Sequence, residues 1–321
     1  MDGIDELGRD ARTVPELIND AKEVLDWAKQ LGANVPDDNW IKHTINRGER
    51  MLAEPTEKKR RELFRQFYSN PIESQNNISD LIHLGFMRRH LGEQSPDVLK
   101  DKLTLAMRGA DSVKQETAAN TKYRDTRFEL SVCARLNERG YTAVLAEPNP
   151  DIFAVRKKLR AAIECKRIFS QQGIDKRILE AWKQLKERPG NQHADLRVIY
   201  CDVTRAFTEG NKHLQGDMSA VLTGLETKMY QLGENILKLL GRNGASEVDA
   251  VVLVYQDYIE PIHNQYVLRG ITQHLVVINA GQWPNHVPMV SRKRRRLALH
   301  FFKKLDKKGQ VYYEDIPGPQ A

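Results

Sequence analysis

The chain has 321 residues, 40% of them hydrophobic and 29% charged, with a net charge of +7. That length suits two domains, or one domain with a large appendage, and the mix is that of a globular protein, which excludes wholesale disorder, a collagen-like chain and a coiled-coil rod. The longest apolar stretches, such as Ala250 to Tyr255 and Leu275 to Ile278, fall far short of the ~18 residues of a membrane span, and the acidic Met1 to Asp10 is unlike a secretory leader. A cytoplasmic protein with no membrane partner is expected. Its three cysteines, Cys133, Cys165 and Cys201, lie 32 and 36 residues apart, without zinc-knuckle or disulfide spacing, and are expected to be reduced and buried.

Residues 1–120 read as a helical domain. Apolar residues recur at three- and four-residue spacing over Val14 to Leu31, Asp38 to Leu52, Thr56 to Tyr68, Ile72 to Leu91 and Val98 to Ala119. Capping or turn chemistry precedes them at Thr13/Pro15, Pro36/Asp37/Asp38, Pro55/Thr56 and Ser95/Pro96/Asp97. This part is acidic by about three charges and holds no motif that implies chemistry, so it reads as a module for binding a protein partner or for regulation.

From residue 121 to about 285 the texture becomes alternating helix and strand, the mark of an α/β domain with a mixed sheet. A helix over Tyr123 to Arg139 stops at Gly140, and a strand at Tyr141 to Ala146 leads to the turn-rich Glu147-Pro148-Asn149-Pro150. Strands Asp151 to Arg156 and Leu159 to Ile168 read as a β-hairpin turning at Lys157-Lys158. A helix at Ile174 to Glu187 follows, then strands at Leu196 to Val203, Val248 to Gln256 and Leu275 to Asn279, with a long helix over Met218 to Leu240 among them.

Within the hairpin, period two sets Leu159, Ala161, Ile163 and Cys165 on one face and Arg160, Ala162, Glu164 and Lys166 on the other, so Glu164 and Lys166 project side by side. Asp151 opens the partner strand and is brought toward Glu164. Two crowded carboxylates repel unless a divalent cation bridges them. Asp151 and Glu164, with the backbone carbonyl of Cys165, would hold Mg²⁺ among oxygens and water, and Lys166 would orient the attacking water and stabilise charge on a phosphate. Glu129, at the edge of the stripe Phe128, Val132, Cys133 and Leu136, is a further candidate as ligand or base. The bland readings are a turn residue for Asp151, an exposed helix residue for Glu129, and for Glu164 with Lys166 an ion pair on a half-exposed strand worth under ~1 kcal/mol. Other acid-x-lysine triplets occur, as at Asp20-Ala21-Lys22 and Glu226-Thr227-Lys228, but on helical stretches where the charges are most simply solvated.

Glu129 on the first helix, Pro150-Asp151 at the second strand and Glu164-Cys165-Lys166 on the third resemble the PD-(D/E)XK superfamily of restriction-endonuclease-like nucleases over roughly a quarter of the chain. The resemblance implies a restriction-endonuclease-like mixed sheet of four or five strands flanked by helices, dependence on Mg²⁺ or Mn²⁺, and hydrolysis of DNA more readily than RNA. It also implies that the helix after the third strand faces nucleic acid through Gln172, Lys176, Arg177, Lys183 and Gln184; the alternative is a solvated helix face.

The segment 286–321 holds the positive charge. From Ser291 to Lys308 nine basic residues stand against Asp306 alone, so this stretch carries +8 and the rest of the chain −1. Arg294, Arg295 and Arg296, with Phe301 and Phe302 as a stacking surface, suit a nucleic-acid partner. Equally, Leu297, Leu299, Phe301, Phe302 and Leu305 can dock an amphipathic helix while its charges face water. The expectation is a metal-dependent endonuclease, possible as a homodimer, of the build of a bacterial antiphage or restriction effector. The alternatives are a catalytically silent nucleic-acid-binding or assembly subunit with the same fold, and a Holliday-junction-type resolvase.

Overall fold

A computed structural model of the chain describes residues 14–67, 83–92, 94–108, 121–146, 150–187, 193–208, 214–215, 218–245, 247–260, 269–278, 292–302 and 311–313. They form two compact units that divide between Glu138 and Arg139. The boundary expected at residue 121 lies one helix earlier, and the helix Lys122–Glu138 groups with the helices before it. None of the described helices is long and apolar enough to cross a membrane.

The first unit contains α1 (Val14–Gln30), α2 (Trp40–Ala53), α3 (Glu57–Phe67), α4 (83–90), α5 (Pro96–Met107) and α6 (Lys122–Glu138). In α1 the buried residues Ile18, Ala21, Val24, Leu25 and Ala28 follow helical spacing. The helix stops because Gly32 takes a left-handed φ of +77°. The N–H of Ala33 then donates back to the Ala28 carbonyl at 2.9 Å and that of Gly32 to Lys29 at 2.8 Å. Asn39 caps α2 by accepting from the N–H groups of Ile41 and Lys42, both at 3.0 Å. α2 and α1 approach so closely at Gly48 that a Cβ there would lie 2.7 Å from Ile18 Cδ1. The helix expected to reach Ala119 ends at Met107, where Arg108 turns extended; 109–120 and the first part of the helix expected at 72–91 lie outside the described residues.

The second unit is an α/β body around one mixed sheet. Its strands are β1 (Thr142–Leu145), β2 (Ile152–Arg156), β3 (Leu159–Arg167), β4 (Leu196–Asp202), β5 (Leu214–Gln215), β6 (Ala250–Glu260), β7 (Arg269–Ile278) and β8 (Val311–Tyr313), and the order is β1-β2-β3-β4-β6-β7-β8 with β5 beside β6. β1, β2 and β3 pair antiparallel, β3, β4 and β6 pair parallel, and β7 returns antiparallel to β6. The sheet is thus mixed and helix-flanked, as expected, but β5, β7 and β8 extend it beyond four or five strands.

One face of the sheet is covered by α7 (Ile174–Glu187) and α9 (Met218–Arg242). Ile174, Ile178, Ala181 and Leu185 of α7, and Leu225, Met229, Leu232 and Ile236 of α9, pack with Ala162, Ile199, Cys201, Val251 and Leu253 from β3, β4 and β6. Short α8 (Thr204–Phe207) follows β4, and α10 (Arg292–Phe302) lies against β4 and β7. All three cysteines are buried free thiols.

Candidate active site

β2 and β3 turn at Lys157-Lys158, with Lys157 in the left-handed region at φ 57°. The register pairs Ile152 with Ile163, so Asp151, one residue before β2, stands opposite Glu164. Asp151 is fixed at both ends. Its carbonyl accepts from the Ala146 N–H at 3.1 Å, and its Oδ2 accepts from the backbone N–H of Cys165 at 2.7 Å. The Asp151 carboxylate is therefore pinned to the residue between Glu164 and Lys166. Its other oxygen, Oδ1, takes no hydrogen bond from the described residues.

Glu164 is fully buried, and Lys166 Nζ donates to its Oε2 at 3.4 Å. The half-exposed strand of the bland reading is corrected here: six consecutive residues of β3, Ala161 to Lys166, are buried, on both faces. The cause is position. β3 lies between β2 and β4, and the face carrying Ala162, Glu164 and Lys166 is the one beneath α7 and α9. An ion pair so placed forfeits the hydration of both charges, several kcal/mol for each, and attraction at best repays it. Stability alone does not explain an acid and a lysine there.

Across β4, Glu164 pairs with Ile199 and Lys166 with Cys201. Burial pushes the Cys201 thiol up to about 12, against the pull of Lys166 and Arg177 and with the push of Asp202. Thiolate chemistry is excluded there, and the cations of Lys166 and Arg177 are felt at one spot. On the edge of the same region Arg167 holds Asp202 at 3.1 Å, and Asp202 Oδ1 accepts from the Thr204 N–H at 3.0 Å.

As a metal site this donor set is two carboxylates and the chain carbonyls around Cys165. Among the described residues no three His, Cys, Asp or Glu side chains gather into a cage. Two carboxylates suit a hard cation that keeps most of its water, such as Mg²⁺, better than a zinc-type ion that takes its full ligand set from the protein. Glu129 is accounted for separately: in α6 of the first unit it takes the ammonium of Lys102 at 2.5 Å, with both side chains mostly buried. The same lysine also draws on Cys133, which burial nonetheless raises to about 12.

The expected nucleic-acid contacts divide. On α7, Gln172 just before the helix, Lys176 and Lys183 are exposed, opposite the buried stripe, whereas Arg177 is half-buried and engages Glu180 at 3.3 Å, and Gln184 is half-buried. On α10 the stacking reading is corrected. Phe301 and Phe302 are fully buried and meet edge to face at 5.1 Å between centroids, so they offer no surface to a base. Arg156 Nη1 donates to the carbonyls of His300 and Phe301 at 2.7 and 2.5 Å, and the Tyr141 hydroxyl donates to the Phe301 carbonyl, together satisfying the end of the helix. Arg294 is also committed: its Nη2 reaches buried Asp249 at 2.7 Å and the Glu247 carbonyl at 3.3 Å. Arg296 is exposed; the side chain of Arg295, and Leu305, lie outside the described residues.

Asp249 was not among the sequence candidates. It accepts from the Arg197 N–H at 2.8 Å, and burial pushes its carboxyl up to about 6 despite Arg294 and Arg197. The signal was a lone acid between Val248 and the apolar run from Ala250, which reads equally as a strand-entry residue. Comparison of the chain with protein-family models, curated proteins and solved structures finds no match.

Proposed function

We propose that the chain is a metal-dependent endonuclease that hydrolyses phosphodiester bonds of DNA, on a sheet of the restriction-endonuclease-like kind. The observation that carries this reading is the hydrogen bond from the Cys165 N–H to Asp151, which ties one acid to the backbone between a buried acid and a buried lysine. Asp151, Glu164 and the Cys165 carbonyl would hold Mg²⁺ or Mn²⁺. When bound, the cation polarises the phosphate and acidifies a water. Lys166 keeps its proton in the field of Glu164, orients the water and offsets charge that grows on the phosphate oxygens. Dry walls from α7 and the sheet strengthen each of these interactions. Lys176 and Lys183, exposed a helical seven apart on α7, meet the backbone of the strand to be cut.

The test is incubation of wild type and Lys166→Ala with plasmid, single-stranded DNA, tRNA and rRNA, with and without Mg²⁺. Cutting by wild type that needs both the metal and Lys166 is expected; cutting that survives loss of both overturns the proposal. Tight DNA binding with Mn²⁺ but no cleavage of any substrate would assign the silent-subunit reading, and nicking confined to four-way junctions the resolvase reading.

A further inference from the structure

Three residues beyond Lys166, at the end of β3, the half-buried ring of Phe169 carries the guanidinium of Arg205, with Cζ 4.3 Å from the ring centroid. Both residues are mounted on the ends of central parallel strands. The N–H of Ile168 continues the β3 ladder to the Asp202 carbonyl at 2.8 Å, and that of Val203 continues β4 to Val254 at 2.9 Å. α8, which bears Arg205, is further fixed at Thr204, whose Oγ1 accepts from the Gln256 N–H at 3.0 Å. The carboxyl ends of adjacent parallel strands are where ligands of open α/β sheets bind.

Local charge favours an anion there. Segments 167–172 and 204–207 hold Arg167 and Arg205 and no acid, and the nearest carboxylate on β4, Asp202, is already held by Arg167. A flat ring with a flat cation on it takes a nucleobase by stacking and the adjoining phosphate by charge, without regard to sequence. Only a base outside a duplex presents its face. Lys166 is at most ~11 Å away along an extended chain, within a few nucleotides of the scissile bond.

We propose that Phe169 and Arg205 form a stacking platform for an unpaired nucleobase beside the cut, so that the substrate is single-stranded DNA or a duplex with a splayed base. This rests on the nuclease reading above for the position of the cut, but the platform is tested by binding. Full-length protein in EDTA is titrated with a fluorescein-labelled single-stranded DNA oligonucleotide, and with a set carrying 2-aminopurine at successive positions. Wild type is expected to bind the single strand more tightly than the blunt duplex of the same sequence and to quench 2-aminopurine at one position. Phe169→Leu abolishes that quench and weakens single-strand binding about tenfold. Arg205→Gln, which leaves the ring's packing in place, weakens binding and its salt dependence together. The platform is overturned if no position is quenched by wild type, or if both variants bind as wild type does. Metal-dependent cleavage of duplex that ignores Phe169 removes the platform and leaves the nuclease; a position-specific quench from a protein that never cuts removes the nuclease and leaves the platform.

Discussion

In β3 an acid and a lysine two residues apart are both taken out of water, whereas in α10 Lys293 and Arg296 stay exposed and the helix is held by its aromatics, its carbonyls and one arginine. By charge density α10 is the more conspicuous segment. By burial β3 is. Charge at a surface costs little and is retained for solubility or docking, but charge inside a sheet is kept only against a desolvation penalty, so the second is the better pointer to chemistry. α10 instead teaches how a basic run becomes structural: two neighbouring phenylalanines enter the body and one guanidinium is spent on a buried carboxylate.

Removing one member of the β3 pair is the largest expected perturbation. Lys166→Ala is expected to lower cleavage roughly a thousandfold or more. It also leaves Glu164 uncompensated in the interior, at about 3–5 kcal/mol in denaturant unfolding. Glu164→Gln with Lys166→Met removes both charges while keeping the stems, and is expected to recover most of that stability and none of the activity. A double variant as unstable as the single one would mean that the pair is there to hold the sheet, and the contrast with α10 would vanish.

Phe301→Ala or Phe302→Ala comes next, at about 3–5 kcal/mol from the cavity left by a fully buried ring. Their nucleic-acid affinity, measured on the folded fraction, is expected to match wild type. A selective loss of affinity without loss of stability would restore the stacking role to this helix.

The two regions also differ in how far the sequence revealed them. Period two within Leu159 to Lys166 set Glu164 and Lys166 on one face, and the two-residue turn at Lys157-Lys158 fixed the register that places Asp151 opposite. That much is local. Burial of the second face is not local, because it depends on β4 joining β3 in parallel through a crossover that includes α7. Likewise, the heptad-like spacing of α7 identified Lys176 and Lys183 as exposed, but nothing near Arg294 in the chain points to Asp249, 45 residues away. β7 was expected only from Leu275, yet begins at Arg269, because pairing with the outer half of β6 recruits residues such as Thr272 and Gln273 that have no strand pattern of their own.

Asp249 supplies a pH-dependent test of the docked helix. Its folded-state value of about 6 lies above the ordinary 3.8, so the folded state binds the proton more tightly than the unfolded chain. Stability from this group is therefore greatest below about pH 4 and falls as pH rises toward 6, by about 3 kcal/mol in all. Asp249→Asn is expected to flatten that part of the stability profile, read by denaturant midpoints from pH 4 to 7, with little change in β3 chemistry.

The smallest effects discriminate within α10 itself. Arg294 and Arg296 are two residues apart, so they point about 200° apart around the helix: one meets a buried carboxylate, the other water. Arg294→Ala strands Asp249 without its cation and is expected to cost about 2–3 kcal/mol at pH 8, shrinking as the pH is lowered and the carboxyl takes a proton. Arg296→Ala is expected to change stability by less than about 0.5 kcal/mol at any pH. If this helix touches a phosphate backbone at all, the Arg296 change lowers the salt slope of DNA binding by about one. Equal costs for the two arginines would mean that the ion pair to Asp249 contributes nothing, and that α10 is held by its aromatics alone.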